Sequence, residues 1–175
     1  MDVRLAKPQD VSLLDDLLKE TANRLKSKGS TQWSHILKGE ETEALRKHIE
    51  QEEVIIFEND NQLVGMCYLY EEPNEWDQSL WGLEAEKGSY YLHKVVVSDL
   101  FIGKNMGSKV LENLFKWIEK HQGKVVRLDC KADVFYLNKL YQQVGFKFIK
   151  TCKAGAFEAL FADFNLYEYH LHNDK

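Results

Sequence analysis

Apolar residues recur at the three- and four-residue spacing of an amphipathic helix in four stretches of the chain. The first begins near Pro8, because a proline is tolerated in the first turn of a helix, and ends at Gly29. Three further helices are predicted at about residues 41–51, 110–118 and 133–144. Asp133 is placed to cap the start of the last of these helices and Gly145 to end it.

Runs of β-branched and aromatic residues, several of them alternating with polar ones, predict the strands between these helices. The predicted strands cover residues 3–6, 54–57, 63–70, 91–97, 124–130, 146–150 and 164–170. The turn at residues 59–61 joins the second and third strands into a hairpin. The resulting order, β-α-α-β-β-β-α-β-α-β-β, predicts a mixed sheet with helices on both faces.

Two connections in this order carry tryptophans. Residues 32–35 form a loop with Trp33 between the first two helices, and residues 71–89 form a long acidic loop with Trp76 and Trp81. Loops of the second length in compact domains are usually functional or mobile. Because no repeat, low-complexity tract or linker interrupts the pattern, we expect a single domain over residues 1–175.

Composition narrows the classes of function. The 175 residues are 44% hydrophobic, enough to fill one core, and the net charge of −5 argues against nucleic acid or an anionic membrane as a partner. Cys67, Cys130 and Cys152 have no metal-ligand spacing, which favours free thiols in a cytoplasmic protein. No signal peptide or membrane-spanning run is visible. His170 and His172 have no third ligand nearby in the sequence, so we expect no metal.

The stretch from the strand at residues 91–97 to the helix at 110–118 contains the first candidate site. A glycine-bearing turn that opens a helix directs unpaired backbone N–H groups, at the positive end of the helix dipole, toward an anion. The alternative is an ordinary turn whose glycines serve only a positive φ. The spacing of Gly103 and Gly107 is one residue short of a P-loop, and the glycine pattern of a dinucleotide-binding fold is absent.

This stretch resembles motif A of the GNAT acetyltransferase superfamily, in which a strand leads into Arg/Gln-x-x-Gly-x-Gly/Ala and a helix. Gly107 matches the second glycine of the motif. Two positions depart from it, because Ile102 stands at the Arg/Gln position and Asn105 at the first glycine. Asn tolerates the left-handed conformation, so Asn105 is the milder departure.

Residues 133–146 resemble a second GNAT motif, which ends in Tyr-x-x-x-Gly-Phe. Tyr141 falls on the tyrosine that the family uses near the coenzyme A sulfur, and Gly145 and Phe146 fall on its helix-ending pair. The family often has an Asn at the position of Val134. Asn138 lies one helical turn before Tyr141 and is expected to replace that contact to coenzyme A.

The two resemblances together imply an α/β (α+β) fold of the GNAT type: a mixed, mostly antiparallel sheet with helices on both faces and splayed parallel central strands. They also imply an N-acetyltransferase that moves an acetyl group from acetyl-CoA to a primary amine of a small molecule or peptide. The coenzyme A site would comprise the central strand, the turn and one residue of the later helix. Its residues are Val95, Val96, Val97, Gly103, Lys104, Asn105, Met106, Gly107, Ser108 and Asn138.

Each implied role has a structural alternative. A backbone N–H near Val95 would stabilise the oxyanion, and Lys104 is either a phosphate contact or a solvated surface residue. Tyr141 is the expected catalytic acid, with a core tyrosine as the alternative. His93 could remove a proton from the amine, although a structural histidine is the more common case. Three tryptophans, Trp33, Trp76 and Trp81, could line the acceptor pocket or complete a core.

Two functional hypotheses remain open at this point. The first is an active N-acetyltransferase; the second is a non-catalytic GNAT-fold module that binds coenzyme A, which the departures at Ile102, Asn105 and Val134 favour. The identity of the acceptor, the general base and the length of the acyl donor are also left open. A homodimer through the C-terminal strands is compatible with the pattern.

Overall fold

Seven strands form one mixed sheet in the order β1-β2-β3-β4-β5-β7-β6. The computed structural model describes residues 1–171. His172, which was named with His170 in the expectation of no metal, lies outside the described residues. The strands are β1 (Asp2–Leu5), β2 (Val54–Asn59), β3 (Gln62–Tyr70), β4 (Ser89–Val97), β5 (Val125–Lys131), β6 (Lys147–Cys152) and β7 (Phe164–His170). Strands β4 and β5 are parallel, whereas β1–β2, β2–β3, β5–β7 and β6–β7 are antiparallel. The predicted mixed, mostly antiparallel sheet is therefore confirmed.

Within residues 1–171, six α-helices accompany the strands: α1 (Val11–Ser27), α2 (Ser34–Leu37), α3 (Thr42–Glu50), α4 (Glu75–Trp81), α5 (Met106–Lys120) and α6 (Phe135–Gln143). The chain divides into two compact units. The first comprises Met1–Leu69 and Lys94–Val110, and the second comprises Tyr70–His93 and the described part of Leu111–Lys175. The expectation of a single domain stays a prediction.

The first unit is built on the β2–β3 hairpin and helices α1 to α3. Asp60 and Asn61 both have positive φ, 48° and 61°, as a two-residue type I′ turn requires. Pro8 lies in a short 3-10 turn, Pro8–Asp10, that precedes α1 rather than inside the α-helix itself. Helix α1 buries Leu14 and Leu18 completely, which confirms its predicted apolar face.

Strand β4 approaches β3 closely at Gly65. A Cβ atom built on Gly65 would lie 2.2 Å from the carbonyl oxygen of Val96, a distance that real atoms do not adopt. The N–H of Ser98 donates to the carbonyl of Val64 at 2.8 Å in the same region. The absence of a side chain at Gly65 therefore allows the end of β4 to occupy its position.

The second unit contains the parallel pair and the C-terminal strands. Only three residue pairs join β4 to β5, from Ser89–Val125 to Tyr91–Arg127. Strand β5 is held on its other side by β7 along its whole length. Helix α4 packs with the C-terminal segment through a cluster of Leu80, Leu160, Phe164 and Leu166.

Helix α4 corrects the predicted acidic loop at residues 71–89. Asn74 caps this helix, because its side chain accepts from the N–H of Asp77 at 2.8 Å, and the carboxylate of Asp77 accepts from the N–H of Asn74 at 3.2 Å. The loop predicted at residues 32–35 likewise includes the start of a short helix, α2, with Trp33 at its N-cap. Both helices are too short to be visible as a periodic apolar pattern.

The predicted cap of α6 by Asp133 was wrong. The helix starts at Phe135 with Val134 as its N-cap residue, and no side chain caps it. The carbonyl of Val134 accepts the N–H of both Leu137 and Asn138, so the first helical bonds begin one residue after Asp133. Gly145, with φ of 104°, follows the end of α6 as predicted.

None of the helices within residues 1–171 is long and apolar enough to cross a membrane. Cys67 and Cys130 are buried, and Cys152 is half-buried; all three carry free thiols. Burial raises the pKa of the Cys130 thiol to about 12.

Replacing Gly65 with alanine tests the close approach of β3 and β4. We expect the Gly65→Ala variant to lose at least about 2 kcal/mol of unfolding free energy, because the new Cβ meets backbone rather than a flexible side chain. Urea titration monitored by circular dichroism measures this loss. Gln62→Ala, at the exposed start of β3, is the control and should change stability by less than about 0.5 kcal/mol. Equal stability of the two variants would contradict the packing described here.

Candidate active site

The turn between β4 and α5 has an unusual backbone. Gly103, Lys104 and Asn105 follow one another with φ of 89°, 52° and 56°. A residue other than glycine adopts this left-handed backbone conformation at a cost of about 1–2 kcal/mol, although Asn tolerates it better than most residues. Three such residues in succession occur where the sequence predicts an anion site.

Helix α5 starts directly after this turn, at Met106. The N–H of Met106 donates to the carbonyl of Gly103 at 3.0 Å, and the N–H of Lys109 donates to the carbonyl of Asn105 at 3.1 Å. Gly107 and Ser108 occupy the first helical turn, where N–H groups have no intrahelical carbonyl to bind. The structure therefore brings all six predicted residues of the turn, 103–108, to the N-terminus of a helix of 15 residues.

An ion pair fixes the start of this turn. Arg24 of α1 forms an ion pair with Asp99, and its guanidinium donates to the carbonyl of Val97 at 3.4 Å. Leu100 and Ile102, which lie between these contacts and the turn, are 85% and 52% exposed. Ile102, which stands at the Arg/Gln position of the motif, therefore projects an apolar side chain into solvent.

Val95, Val96 and Val97 form the last part of β4. Val96 is buried, and Val95 and Val97 are half-buried. Lys94, immediately before them, has φ of 48° inside the strand, which marks a local irregularity of the bulge type.

The side chain of Lys94 is held on the first unit. Its Nζ lies 3.6 Å from Oε1 of the buried Glu41 and 5.2 Å from the ring centre of Tyr68. The hydroxyl of Tyr68 donates to the same carboxylate at 2.9 Å. These contacts offset part of the cost of the left-handed conformation at Lys94.

Tyr141 and Asn138 share the buried face of α6 in the second unit. Tyr141 is 8% exposed, and its ring packs against Phe146 and Tyr167 with centroid separations of 5.7 Å and 6.1 Å. Its position on α6 agrees with the expected helix, and its role as an acid stays a prediction.

The amide of Asn138 is occupied by internal hydrogen bonds. Its Nδ2 donates to the carbonyls of Lys131 and Val134 at 3.0 Å and 2.9 Å. Its Oδ1 accepts from the hydroxyl of Tyr167 at 2.7 Å and from Asn165 at 2.9 Å. Through these bonds the nitrogen and the oxygen of the Asn138 side chain connect the start of α6 to β5 and β7. They favour a structural role, and the expected contact of Asn138 with coenzyme A stays untested.

His93 belongs to a hydrogen-bonded group in the second unit. Its Nε2 lies 2.9 Å from Oδ1 and 3.0 Å from Oδ2 of Asp77, whose side chain is only 2% exposed. Asp129 of β5 completes the group, and one nitrogen or oxygen atom from each of the three side chains lies within 4.8 Å of the others. His93 thus pairs with Asp77, and Asp129 lies beside this pair. The expected absence of a metal stays a prediction.

The environment of Asp129 favours its protonated form. Burial raises the pKa of the Asp129 carboxyl above its ordinary value, and the charge of Asp77 adds to this effect. The positive form of His93 and a hydrogen bond from Nε1 of Trp76, at 3.1 Å, act in the opposite direction.

The structure places the tryptophans in different surroundings. Trp33 is half-buried in the first unit. Trp76 packs against Phe164 at a centroid distance of 5.1 Å, and Trp81 lies beside the guanidinium of Arg127 at 5.2 Å. Trp76 and Trp81 therefore complete the core of the second unit, which was the alternative interpretation of the tryptophans.

Asp77 and Asp129 are not among the site residues that the sequence predicts. Asp77 lies in the predicted acidic loop, although Asn74-x-x-Asp77 is a helix-start signal that places it on a helix. Asp129 is a polar residue within a β-branched run, which carries no signal without the tertiary structure.

Comparison with known proteins connects this geometry to a family. Residues 17–146 match the model of the acetyltransferase (GNAT) family. The chain is 35% identical over 147 residues to the uncharacterized N-acetyltransferase YesJ of Bacillus subtilis (strain 168), covering 84% of this chain and 82% of that protein.

Solved structures give the same result at the level of the fold. A GNAT-family acetyltransferase from Listeria monocytogenes 4b F2365 superposes with a TM-score of 0.79 at 32% identity, over 97% of this chain and 94% of the other. The PaiA N-acetyltransferase of Thermoplasma acidophilum, solved in complex with coenzyme A, superposes with a TM-score of 0.68 at 16% identity, over 97% and 98%. The sheet order, the family match and these similarities lead to one assignment: the chain is an N-acetyltransferase of the GNAT family.

Proposed function

We propose that the protein transfers an acetyl group from acetyl-CoA directly to a primary amine of a small molecule or peptide. GNAT enzymes use acetyl-CoA as the donor, and the family assignment extends this donor to the present chain. The observation that carries the finer proposal is the turn at residues 103–108, whose left-handed backbone opens helix α5. A cytoplasmic location agrees with three free cysteines.

The turn has the properties that a diphosphate requires. The free N–H groups of the first turn of α5 and the helix dipole both favour an anion. A Cβ atom built on Gly103 would meet no other atom within 4 Å, so the turn is open on that side. Exposed Lys104 adds a positive charge beside it. We therefore assign the diphosphate of acetyl-CoA to the backbone of Gly103, Lys104, Asn105, Met106, Gly107 and Ser108.

Strand β4 is the proposed partner of the pantetheine arm. The irregularity at Lys94 interrupts regular strand geometry directly before Val95, Val96 and Val97. An extended ligand can add to such a backbone through main-chain hydrogen bonds. The N–H of Val95 would then stabilise the oxyanion that forms on the thioester carbonyl.

Tyr141 is the proposed acid for the leaving thiolate. A tyrosine hydroxyl with its ordinary pKa of about 10 is protonated at neutral pH and can donate a proton to sulfur. Asn138, which lies on the same buried face, holds the start of α6 through its own hydrogen bonds. We propose that it acts on the site by positioning this helix, with direct contact to coenzyme A as the alternative.

The acceptor is tested by release of coenzyme A thiol, measured with DTNB across polyamines, aminoglycosides, amino acids and peptides. Acetylation of at least one amine, verified by mass spectrometry, is the expected result. Binding of acetyl-CoA by calorimetry without turnover of any amine would favour the non-catalytic alternative. Failure to bind acetyl-CoA would overturn the proposal. The same assay with longer acyl-CoA molecules in place of acetyl-CoA shows which acyl group the protein transfers.

A charge introduced at Ser108 tests the diphosphate site. We expect Ser108→Asp to weaken coenzyme A binding at least about tenfold, because two negative groups would share the N-terminus of α5. Thermal stability should be unchanged or slightly higher, since a carboxylate in the first turn favours a helix. Calorimetry with coenzyme A measures the affinity, and neutral Ser108→Asn is the matched control. Equal affinity of both variants would place the diphosphate elsewhere.

The role of Tyr141 is tested by removing its hydroxyl. We expect Tyr141→Phe to lower kcat about 100-fold while the Kd for acetyl-CoA changes little, because proton donation matters only in the transition state. Tyr136→Phe, at a 62% exposed position on the same helix, is the control. Unchanged kcat in Tyr141→Phe would assign the tyrosine to the core alone.

A further inference from the structure

We propose that His93, oriented by Asp77, is the group that accepts a proton from the amine during acetyl transfer. This inference rests on the proposed function, and it names a base that the sequence left open. His93 is the proposed catalytic residue, and Asp77 is a positioning residue that acts through it.

The hydrogen bond between His93 and Asp77 occupies Nε2 of the imidazole and leaves Nδ1 able to accept a proton. Nε2 of His93 faces both oxygens of Asp77 at 2.9 Å and 3.0 Å. Beside an ionised carboxylate this nitrogen carries the proton and donates it, so the lone pair of neutral imidazole lies on Nδ1. Within residues 1–171 nothing hydrogen-bonds to Nδ1 of His93, and 17% of the surface of this side chain is exposed to solvent. A base held at one nitrogen by a buried carboxylate and open at the other has the arrangement of a catalytic dyad.

The dyad is fixed from several sides. The carboxylate of Asp77 also accepts the N–H of Asn74, so its position is set by the start of α4. The ring of Tyr70 packs on the imidazole with a centroid distance of 4.8 Å and an angle of 32°. A base whose rotamer is locked in this way loses little entropy when it meets its substrate.

The charges around His93 favour proton uptake. The titratable groups that face it are Asp77 of α4, Asp129 of β5 and Tyr70 of β3. The carboxylate in hydrogen-bond contact with the imidazole is that of Asp77, at 2.9 Å. An imidazolium formed on His93 would be balanced by this carboxylate inside the protein.

The position of His93 along β4 fits this role. It lies two residues after Tyr91, the last β4 residue that pairs with β5, and two residues before Val95. The proposed base and the N–H proposed to bind the oxyanion are therefore separated by a single residue of the chain, Lys94.

The proton balance of the reaction requires such a group. An amine that arrives as an ammonium ion must lose two protons while its nitrogen bonds to the carbonyl carbon and the C–S bond breaks. Nδ1 of His93 takes the first proton, which frees the nitrogen lone pair for attack, and later releases it to solvent. The second proton leaves the nitrogen as the tetrahedral centre collapses. Because the leaving thiolate takes up one proton in the same step, this loss and this uptake cancel. The products are the amide, the free thiol of coenzyme A and one proton.

Kinetics of paired variants test the dyad with the best amine found in the thiol-release assay. His93→Gln keeps a donor toward Asp77 but has no base, and we expect kcat/KM to fall at least about 100-fold. The acidic limb of the pH profile, which is the fall of kcat/KM toward low pH, should be absent in His93→Gln. Asp77→Asn should lower kcat/KM and move this limb to lower pH, because the imidazolium loses its counter-charge. A merely structural role for Asp77 would not move the limb.

Two controls separate these effects from folding. Asn74→Ala removes the other half of the α4 cap without touching His93, and its pH profile should keep the wild-type limb. His121→Gln makes the same substitution at an exposed position directly after α5 and should leave activity unchanged. Wild-type kinetics in His93→Gln, or the same shifted limb in Asn74→Ala, would overturn the assignment.

Nuclear magnetic resonance of ¹⁵N-histidine protein tests the dyad without an acceptor. The His93 signal is identified by its loss in His93→Gln. We expect the ¹⁵N chemical shifts to show that the neutral ring carries its proton on Nε2. A neutral ring with its proton on Nδ1 would exclude the dyad. If no amine is turned over while the ring behaves as expected, the proposed reaction fails and the dyad stands.

Discussion

The early end of the pairing between β4 and β5 is the constraint on which the rest of the structure depends. Three residue pairs join these parallel strands, and β4 then continues to Val97 with a left-handed residue, Lys94, inside it. Buried backbone groups must find hydrogen-bond partners, so a strand that leaves its neighbour needs another one. Under the proposed function, an extended thioester cosubstrate would offer such partners to the end of β4.

Of the seven non-glycine residues with positive φ within residues 1–171, three lie in β4 or in the turn that opens α5. Lys94, Lys104 and Asn105 have positive φ although none is glycine, and the turn that contains the last two opens α5. Each such residue costs folding free energy and persists because surrounding contacts hold it, such as the ion pair of Lys94 with buried Glu41. Local rules and the fold disagree here, as is common where a backbone serves a ligand.

The second unit adds a different kind of constraint, because it places ionisable groups out of water. Asp77, His93 and Asp129 come from a helix and two strands, and Trp76 and Tyr70 enclose them. Burying two carboxylates beside one imidazole opposes folding unless they share protons and hydrogen bonds. A catalytic role explains why such an arrangement would be kept, whereas packing alone would be served better by apolar side chains.

The sequence by itself determined the succession of strands and main helices along the chain, the β2–β3 hairpin, the mixed sheet and the family. These features follow from local patterns: apolar periodicity, the two positive-φ residues of the hairpin turn, and motifs within short stretches around Gly107 and Tyr141. Helix α4, residues 75–81, is not visible in the apolar pattern, although Asn74 and Asp77 signal its start. The tertiary structure alone decided that Asn138 uses its side-chain amide in internal hydrogen bonds and that Asp77 meets His93. The reason is physical: a short helix has little periodicity of its own, and a contact between residues 16 positions apart exists only when α4 packs against the sheet.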